Sequence, residues 1–287
     1  MSSNGRARSG IPGLMPLVIS APFGNYIQPK GATPTLGTFT LYRRPGRLWR
    51  ILKTVRYKRR QRAWVNKIGL RNPGIDWLAG RVARGRCDVS NKIVSIHGFD
   101  DGQWFALLEK IAQIRPMAVE LNMSCPNVGE IDWPPELFAR ALQAVNAGSG
   151  ETPGVIVKLP PVHYQQMAEQ AVDAGVRAFH CCNTLPVPAG GMSGQPLKPK
   201  SLACIRDLRG KPFGKDLTII GGGGIYAVSD IDTYADAGAD RVALGTKTMN
   251  PVYLFSHSGL GSFIERSRQR LSIPANRSGA GTSTPRT

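Results

Sequence analysis

The chain has 287 residues, 41% of them hydrophobic, with 33 glycines, 22 prolines and a formal net charge of +18. That length supports one large core or two small ones. No apolar run approaches the ~20 residues needed to cross a membrane, and MSSNGRARSGIPGLM lacks the apolar centre of a secretory signal.

We therefore expect a soluble, cytoplasmic protein with a flexible segment over 1–15. Five cysteines without a CxxC spacing point to reduced thiols, not to a disulfide framework or a zinc site. The four histidines are scattered, so no metal centre is expected.

In chain order, short β-branched or apolar runs predict strands at 17–24, 35–41, 92–98, 118–124, 154–160, 178–184, 217–224 and 241–246. NYIQPKGAT (25–33), between the first two, is too short and too broken by Gly and Pro for a full helix. Residues 42–75 read as an insertion after the second strand. Within it, RRPGRLWRILKTVRYKRRQR (43–62) contains no acid, and Leu48, Ile51, Leu52 and Val55 recur at helical spacing. The favoured expectation is that this stripe packs down while the cations face water. A surface for a polyanion or anionic lipid is the alternative.

The later strands are separated by helical patterns: DGQWFALLEKIAQI, PPELFARALQAVNA, VHYQQMAEQAVDAG and AVSDIDTYADAG. The last two end in Asp-Ala-Gly, a helix stop. Eight strands with intervening helices predict a (β/α)8 TIM barrel, a single α/β domain over 16–266. A doubly wound open sheet is the alternative. A disordered basic tail is expected over 267–287.

Polar residues gather at the strand ends: Asn122, Ser124, Lys158, Asn183, Thr184, Gly221 to Gly224, Gly245 and Thr246. In a barrel those ends converge on one mouth. GGGGI (221–225) and GTKT (245–248) follow adjacent strands, and such corners let backbone N–H groups approach a phosphate. Either alone also serves as a plain turn. AGGMSGQPLKP (189–199), which contains Gly194, is a third glycine-rich loop. Lys158, flanked by Val157 and Leu159, is costly to bury unless it faces an anion or an electron-rich ring; a snorkelling surface lysine is the plainer reading.

The carboxamides of Asn66, Asn122, Asn127 and Asn183 match the alternating N–H and C=O groups of a pyrimidine, although each asparagine alone is commonly a turn residue. Cys125 sits between two of them in ELNMSCPN. Cys181, Cys182 and Cys204 fit better as buried apolar thiols.

ELNMSCPN, VKLPP, NT followed by GGMSG and LKP, IIGGGGI and LGT, in this order and spacing, resemble the dihydroorotate dehydrogenase family over roughly residues 17–250. The cysteine in the SCPN corner resembles the soluble class 1 enzymes. The resemblance implies an FMN-binding barrel that oxidises dihydroorotate to orotate, usually as a homodimer. It implies that Cys125 takes the C5 proton while C6 delivers hydride to flavin N5. Asn66, Asn122, Asn127, Asn183 and Thr184 would hold the substrate ring, and the backbone of Ile68, Gly69 and Leu70 its carboxylate. Lys158, Gly194, Gly223, Gly224, Gly245 and Thr246 would hold the cofactor.

One departure stands out. The family's TKS-x-T-L lysine is replaced by Gly37 in TLGTFTL. Either Lys67 or Arg71 takes over its contact, or the substrate lacks the carboxylate. A lysine restored at position 37 is expected to lower KM, provided Gly37 has φ below zero and the side chain has room. The competing readings are a flavin barrel acting on another dihydropyrimidine or on dihydrouridine in RNA, and a degenerate barrel that binds nucleic acid through 43–62. The acceptor is left open between fumarate, a quinone and an NAD-linked electron-transfer subunit.

Overall fold

A computed structural model describes residues 10–123, 133–146 and 154–271. In chain order its elements begin with β1 (Leu17–Ile19), β2 (Ala32–Phe39), α1 (Arg47–Thr54), β3 (Arg56–Lys58), β4 (Ala63–Asn66), α2 (Ile75–Ala83) and β5 (Ile93–Ile96). There follow α3 (Asp101–Ile114), β6 (Ala118–Asn122), α4 (Leu137–Asn146), β7 (Val155–Leu159), α5 (Gln165–Asp173) and β8 (Ala178–Cys181). The remainder are β9 (Leu185–Val187), β10 (Gly190–Gly194), α6 (Lys198–Gly210), β11 (Thr218–Gly222), α7 (Ser229–Asp236), β12 (Arg241–Leu244) and α8 (Gly261–Leu271).

Eight strands close into a parallel barrel in the order β1-β12-β11-β8-β7-β6-β5-β2. Closure rules out the open-sheet alternative. Side chains alternate across each strand, and the pattern separates two cores. Val94, Ile96, Val119, Leu121, Val157, Phe179 and Ile219 point outward into the layer beneath the helices. Val18, Ile93, Ala118, Ile156, Ala178, Ile220 and Ala243 point inward and fill the barrel floor, plugged by Ile11 and Leu14. Two residues further along, the inward positions become Ser95, Glu120, Lys158, His180 and Gly222, so the barrel changes from apolar to polar within one layer.

The helices follow from local signals. Asp100 caps α3 by accepting the Gln103 N–H at 2.8 Å, and Trp104, Leu107, Leu108 and Ile111 form its buried face. Between β1 and β2 the chain makes only a 3₁₀ turn at Phe23–Asn25, as NYIQPKGAT suggests. The insertion after β2 folds as α1, β3 and β4. β4 pairs antiparallel with β10, with Asn66 opposite Gly191, in a second sheet of order β3-β4-β10-β9. That pairing carries Asn66 to the barrel mouth.

Three expectations need correction. The stripe on α1 does not pack down: only Ile51 and Val55 are half-buried, whereas Leu48 and Leu52 are exposed. The glycine-rich stretch 189–199, read as a loop, contains the strand β10 and runs into α6, with Leu202, Ile205 and Leu208 buried. The last helix runs on to Leu271, past the tail expected from Ser267, and both of those residues are buried. Residues 272–287 lie outside the described residues.

Candidate active site

The polar layer inside the barrel is one hydrogen-bonded chain. Glu120 lies at its centre, fully buried. Ser95 Oγ donates to Glu120 Oε1 at 2.8 Å, His180 Nδ1 contacts Oε2 at 2.7 Å, and Lys158 Nζ stands 3.6 Å from Oε1. Burial by itself raises the Glu120 pKa. The charges of Lys158 and His180, with hydrogen bonds from His180 and Ser95, outweigh it and hold the carboxyl at about 2. Burial, and then the Lys158 charge, push the His180 pKa below its ordinary value despite Glu120. With its pKa depressed, His180 loses its own charge as pH rises, and from then on the Lys158 charge and the hydrogen bonds from His180 Nδ1 and Ser95 Oγ keep Glu120 ionised.

From Ser95 the chain climbs to the mouth. Thr38 Oγ1 lies 3.0 Å from Ser95 Oγ, Asn122 Nδ2 donates to Thr38 Oγ1 at 2.9 Å, and Asn183 Nδ2 donates to Asn122 Oδ1 at 2.8 Å. Asn183 Oδ1 in turn accepts the Thr184 N–H at 2.9 Å. Each carboxamide is thereby held in one orientation, which fixes how its remaining donors and acceptors face the cleft. His97 Nδ1 meets the Asn122 carbonyl at 2.7 Å. Burial and the Arg44 charge depress its pKa to about 4 against the raising effect of that bond.

Two adjoining cavities open above this layer. The larger, about 710 Å³, is lined by Thr38, Asn66, Ile68, Gly69, Leu70, Arg71 and Asn122 among others. The smaller, about 200 Å³, is lined by Gly222, Gly223, Gly224, Gly245, Thr246 and His180 among others. Asn66, Ile68, Lys158, Asn183 and Thr184 belong to both and form the shared wall.

The glycine compartment fits a phosphate-bearing group. Gly223 and Gly224 hold φ of +111° and +68°. A Cβ on Gly223 would come 2.6 Å from Leu197 Cδ2, and one on Gly224 2.9 Å from Lys198 Cβ. Only glycine lets the loop pass there. Among the described residues, the N–H groups of Gly223, Gly224, Gly245 and Thr246 make no hydrogen bond. The start of α7 is not available to an anion in the same way, because Asp230 Oδ2 accepts the Tyr226 and Ala227 N–H groups at 2.7 and 2.8 Å. An anion would rest on the two loops.

A profile of the dihydroorotate dehydrogenase family matches residues 26–257. The chain belongs to the dihydroorotate dehydrogenase family. Members of that family are oxidoreductases acting on CH–CH donors. The chain is 32% identical over 212 residues to "dihydroorotate dehydrogenase B (NAD(+)), catalytic subunit" of Halalkalibacterium halodurans, covering 66% of this chain and 68% of that one. It is 33% identical over 211 residues to the protein of the same name from Latilactobacillus sakei, covering 63% and 66%. A ligand-free DHODH structure from Eimeria tenella superposes with a TM-score of 0.65 over 89% of this chain and 83% of that chain. At 18% identity that likeness speaks for the fold.

In this dihydroorotate dehydrogenase family member, Asn66, Ile68, Gly69, Leu70, Asn122, Lys158, Asn183, Thr184, Gly223, Gly224, Gly245 and Thr246 all line the joined cavities. Gly194 lines neither; it ends β10, with its carbonyl beside Gly224. Cys125 and Asn127 lie outside the described residues. Cys181, Cys182 and Cys204 are buried, their sulfurs within 4.8 Å of one another, as expected for core thiols.

Sequence reasoning missed Glu120, His180, Ser95 and Thr38. Glu120 carried a signal, since it lies two residues before Asn122 and shares its inward face.

Proposed function

We propose that the protein oxidises dihydroorotate to orotate in pyrimidine biosynthesis, with FMN as cofactor. The observation that carries this reading is the wall common to the two cavities, where Lys158 and Asn183 join a carboxamide-lined compartment to a glycine-lined one. The loop N–H groups of Gly223, Gly224, Gly245 and Thr246 would hold the FMN phosphate, and Lys158 would offer its charge to the flavin. Gly194 supports Gly224 from behind. Bound FMN supplies the acceptor for the hydride leaving substrate C6.

Asn66, Asn122 and Asn183, with Asn127 from the SCPN corner, orient the dihydropyrimidine ring. Thr184 and the backbone of Ile68, Gly69 and Leu70 complete its pocket. Cys125 removes the C5 proton. An ordinary thiol, with a pKa of about 8.5, needs little adjustment to act as base near neutrality.

The substrate carboxylate needs a cation that Gly37 does not supply. Arg71 lines the larger cavity, and its buried Nε has no partner among the described residues. Lys67 is exposed and lines neither cavity. Arg71 is therefore the substitute. The relatives' name, catalytic subunit, supports a separate electron-transfer subunit as partner. The family's usual state supports a homodimer, and the free thiols support a cytoplasmic setting.

A second reading, a carboxylate-free dihydropyrimidine as substrate, is favoured by Gly37 alone.

The test is the cofactor and its reduction. Mass spectrometry of the denatured protein should release FMN; FAD, or a folded protein that takes up no flavin, contradicts the proposal. Cys125→Ala should keep the flavin but slow its bleaching by dihydroorotate by roughly 10²–10⁴-fold. Cys125→Ser should retain a little activity that improves at high pH. Equal rates in wild type and Cys125→Ala would remove the thiol from the reaction.

A further inference from the structure

The insertion presents a surface that the chemistry of the cavities does not use. Leu48, Trp49 and Leu52 on α1 are 71%, 67% and 65% exposed. Leu48 and Leu52 stand one turn apart on one face, with Trp49 beside them. Residues 47–62 supply eight cations and no acid. Among the described residues, none of those cations pairs with a carboxylate. Large apolar side chains left in water beside cations with no carboxylate partner are an uncommon combination on a folded surface.

The helix is held in place for use. A two-turn helix does not persist alone in water. Here Val55 closes it on the Ile51 carbonyl at 3.0 Å, and Thr54 Oγ1 accepts the Lys67 N–H at 3.1 Å, tying α1 to the end of β4.

Its position is also informative. Val55 lines the smaller cavity together with Met249, and the segment after Met249 exposes Val252, Leu254 and Phe255, the last at 89%. Both exposed apolar groups therefore flank the cavity mouth.

We propose that α1, with the basic β3 turn that follows it, docks the protein on an anionic lipid surface, the barrel mouth turned toward the bilayer. The leucines and Trp49 would enter the headgroup–acyl boundary while Arg and Lys meet the lipid phosphates. This occupant fits better than a nucleic acid. A nucleic acid would use the cations and stack on Trp49 or Tyr57, but it gives Leu48 and Leu52 no partner.

The experiment is co-sedimentation of the full chain with vesicles. One set is phosphatidylcholine mixed with phosphatidylglycerol; the other is phosphatidylcholine alone. Wild type should sediment with the anionic set, much less with the neutral set, and less as salt rises. Trp49 emission should shift to the blue on binding, a change absent in Trp49→Phe. Leu48→Ser/Trp49→Ser/Leu52→Ser removes only exposed side chains, so its circular dichroism and melting point should match wild type. Its partitioning should fall about tenfold or more. Failure of wild type to sediment with anionic vesicles overturns the proposal. So does a triple variant that binds as well as wild type, because charge alone then explains the interaction. Binding to single-stranded nucleic acid at equal strength in both proteins, without vesicle binding, assigns the surface to nucleic acid instead.

Discussion

The resemblance places the family's lysine at Gly37, and the expectation drawn from it is that restoring a lysine there lowers KM. The condition attached to restoring that lysine fails. Gly37 has φ of +104°, and a Cβ there would lie 2.4 Å from the Ser95 carbonyl oxygen. Its backbone is also pinned by Asn25, which accepts from Gly37 N at 3.1 Å and donates to Gly37 O at 2.9 Å. We predict that Gly37→Ala costs at least roughly 1–3 kcal/mol in denaturant unfolding, and that Gly37→Lys lowers stability without lowering KM. Arg71→Ala should raise KM for dihydroorotate several-fold with little change in kcat, since the carboxylate contact is uniform binding. Lys67→Ala should leave KM unchanged, and the reverse pattern would assign the contact to Lys67. Glu120→Gln removes the carboxylate that faces Lys158 and His180 inside the barrel and should cost about 3–5 kcal/mol; an unchanged melting point would mean that this charge does not hold the interior together. Lys158 was legible because a lysine between Val157 and Leu159 is out of place in a buried strand. Glu120 was passed over although it shares the inward face of Asn122, because a lone acid in an alternating run reads equally well as a solvent-facing residue.

At the scale of elements, the eight barrel strands were legible because buried parallel strands read as short β-branched runs. Boundaries were less so: β2 begins at Ala32, three residues before its predicted start. α6 was missed because a glycine-rich loop leads into it and Pro199 stands in its first turn, where proline is tolerated but reads as a breaker. The direction of the α1 stripe was also illegible, since spacing reports which residues share a face and not what that face meets. Asp100→Ala should remove the α3 cap and cost ~1 kcal/mol, read from urea unfolding; no change would show that the cap is replaced by water. α8 offers a second test. Arg270 joins Asp232 at 2.9 Å and Asp236 at 2.6 Å, and Leu271 is buried. A chain ending at Arg266 should melt below one ending at Leu271, whereas a tail beginning at Ser267 predicts equal melting points.

At the scale of the molecule, three buried groups set how stability depends on pH. His97 titrates at about 4 in the fold against an ordinary 6.5, so below 6.5 the unfolded chain takes up the proton first. Its contribution is whole above that pH and is lost on the way down to about 4; His180 acts in the same direction. Glu120 titrates at about 2 against an ordinary 4.5, so its contribution is whole above 4.5 and is lost as pH falls toward 2. The melting point should therefore be level above neutrality and fall in two stages on acidification, the first reduced in His97→Gln. A melting point that rises between pH 6.5 and 4 would contradict this assignment. The same interior supports the catalytic reading, and its central claim has a direct measurement: the absorbance of the FMN-loaded protein as dihydroorotate or dihydrouracil is added without oxygen. Dihydroorotate should bleach the flavin the faster of the two, with Arg71 recognising its carboxylate. Faster bleaching by dihydrouracil, or none by dihydroorotate, would contradict dihydroorotate as the substrate.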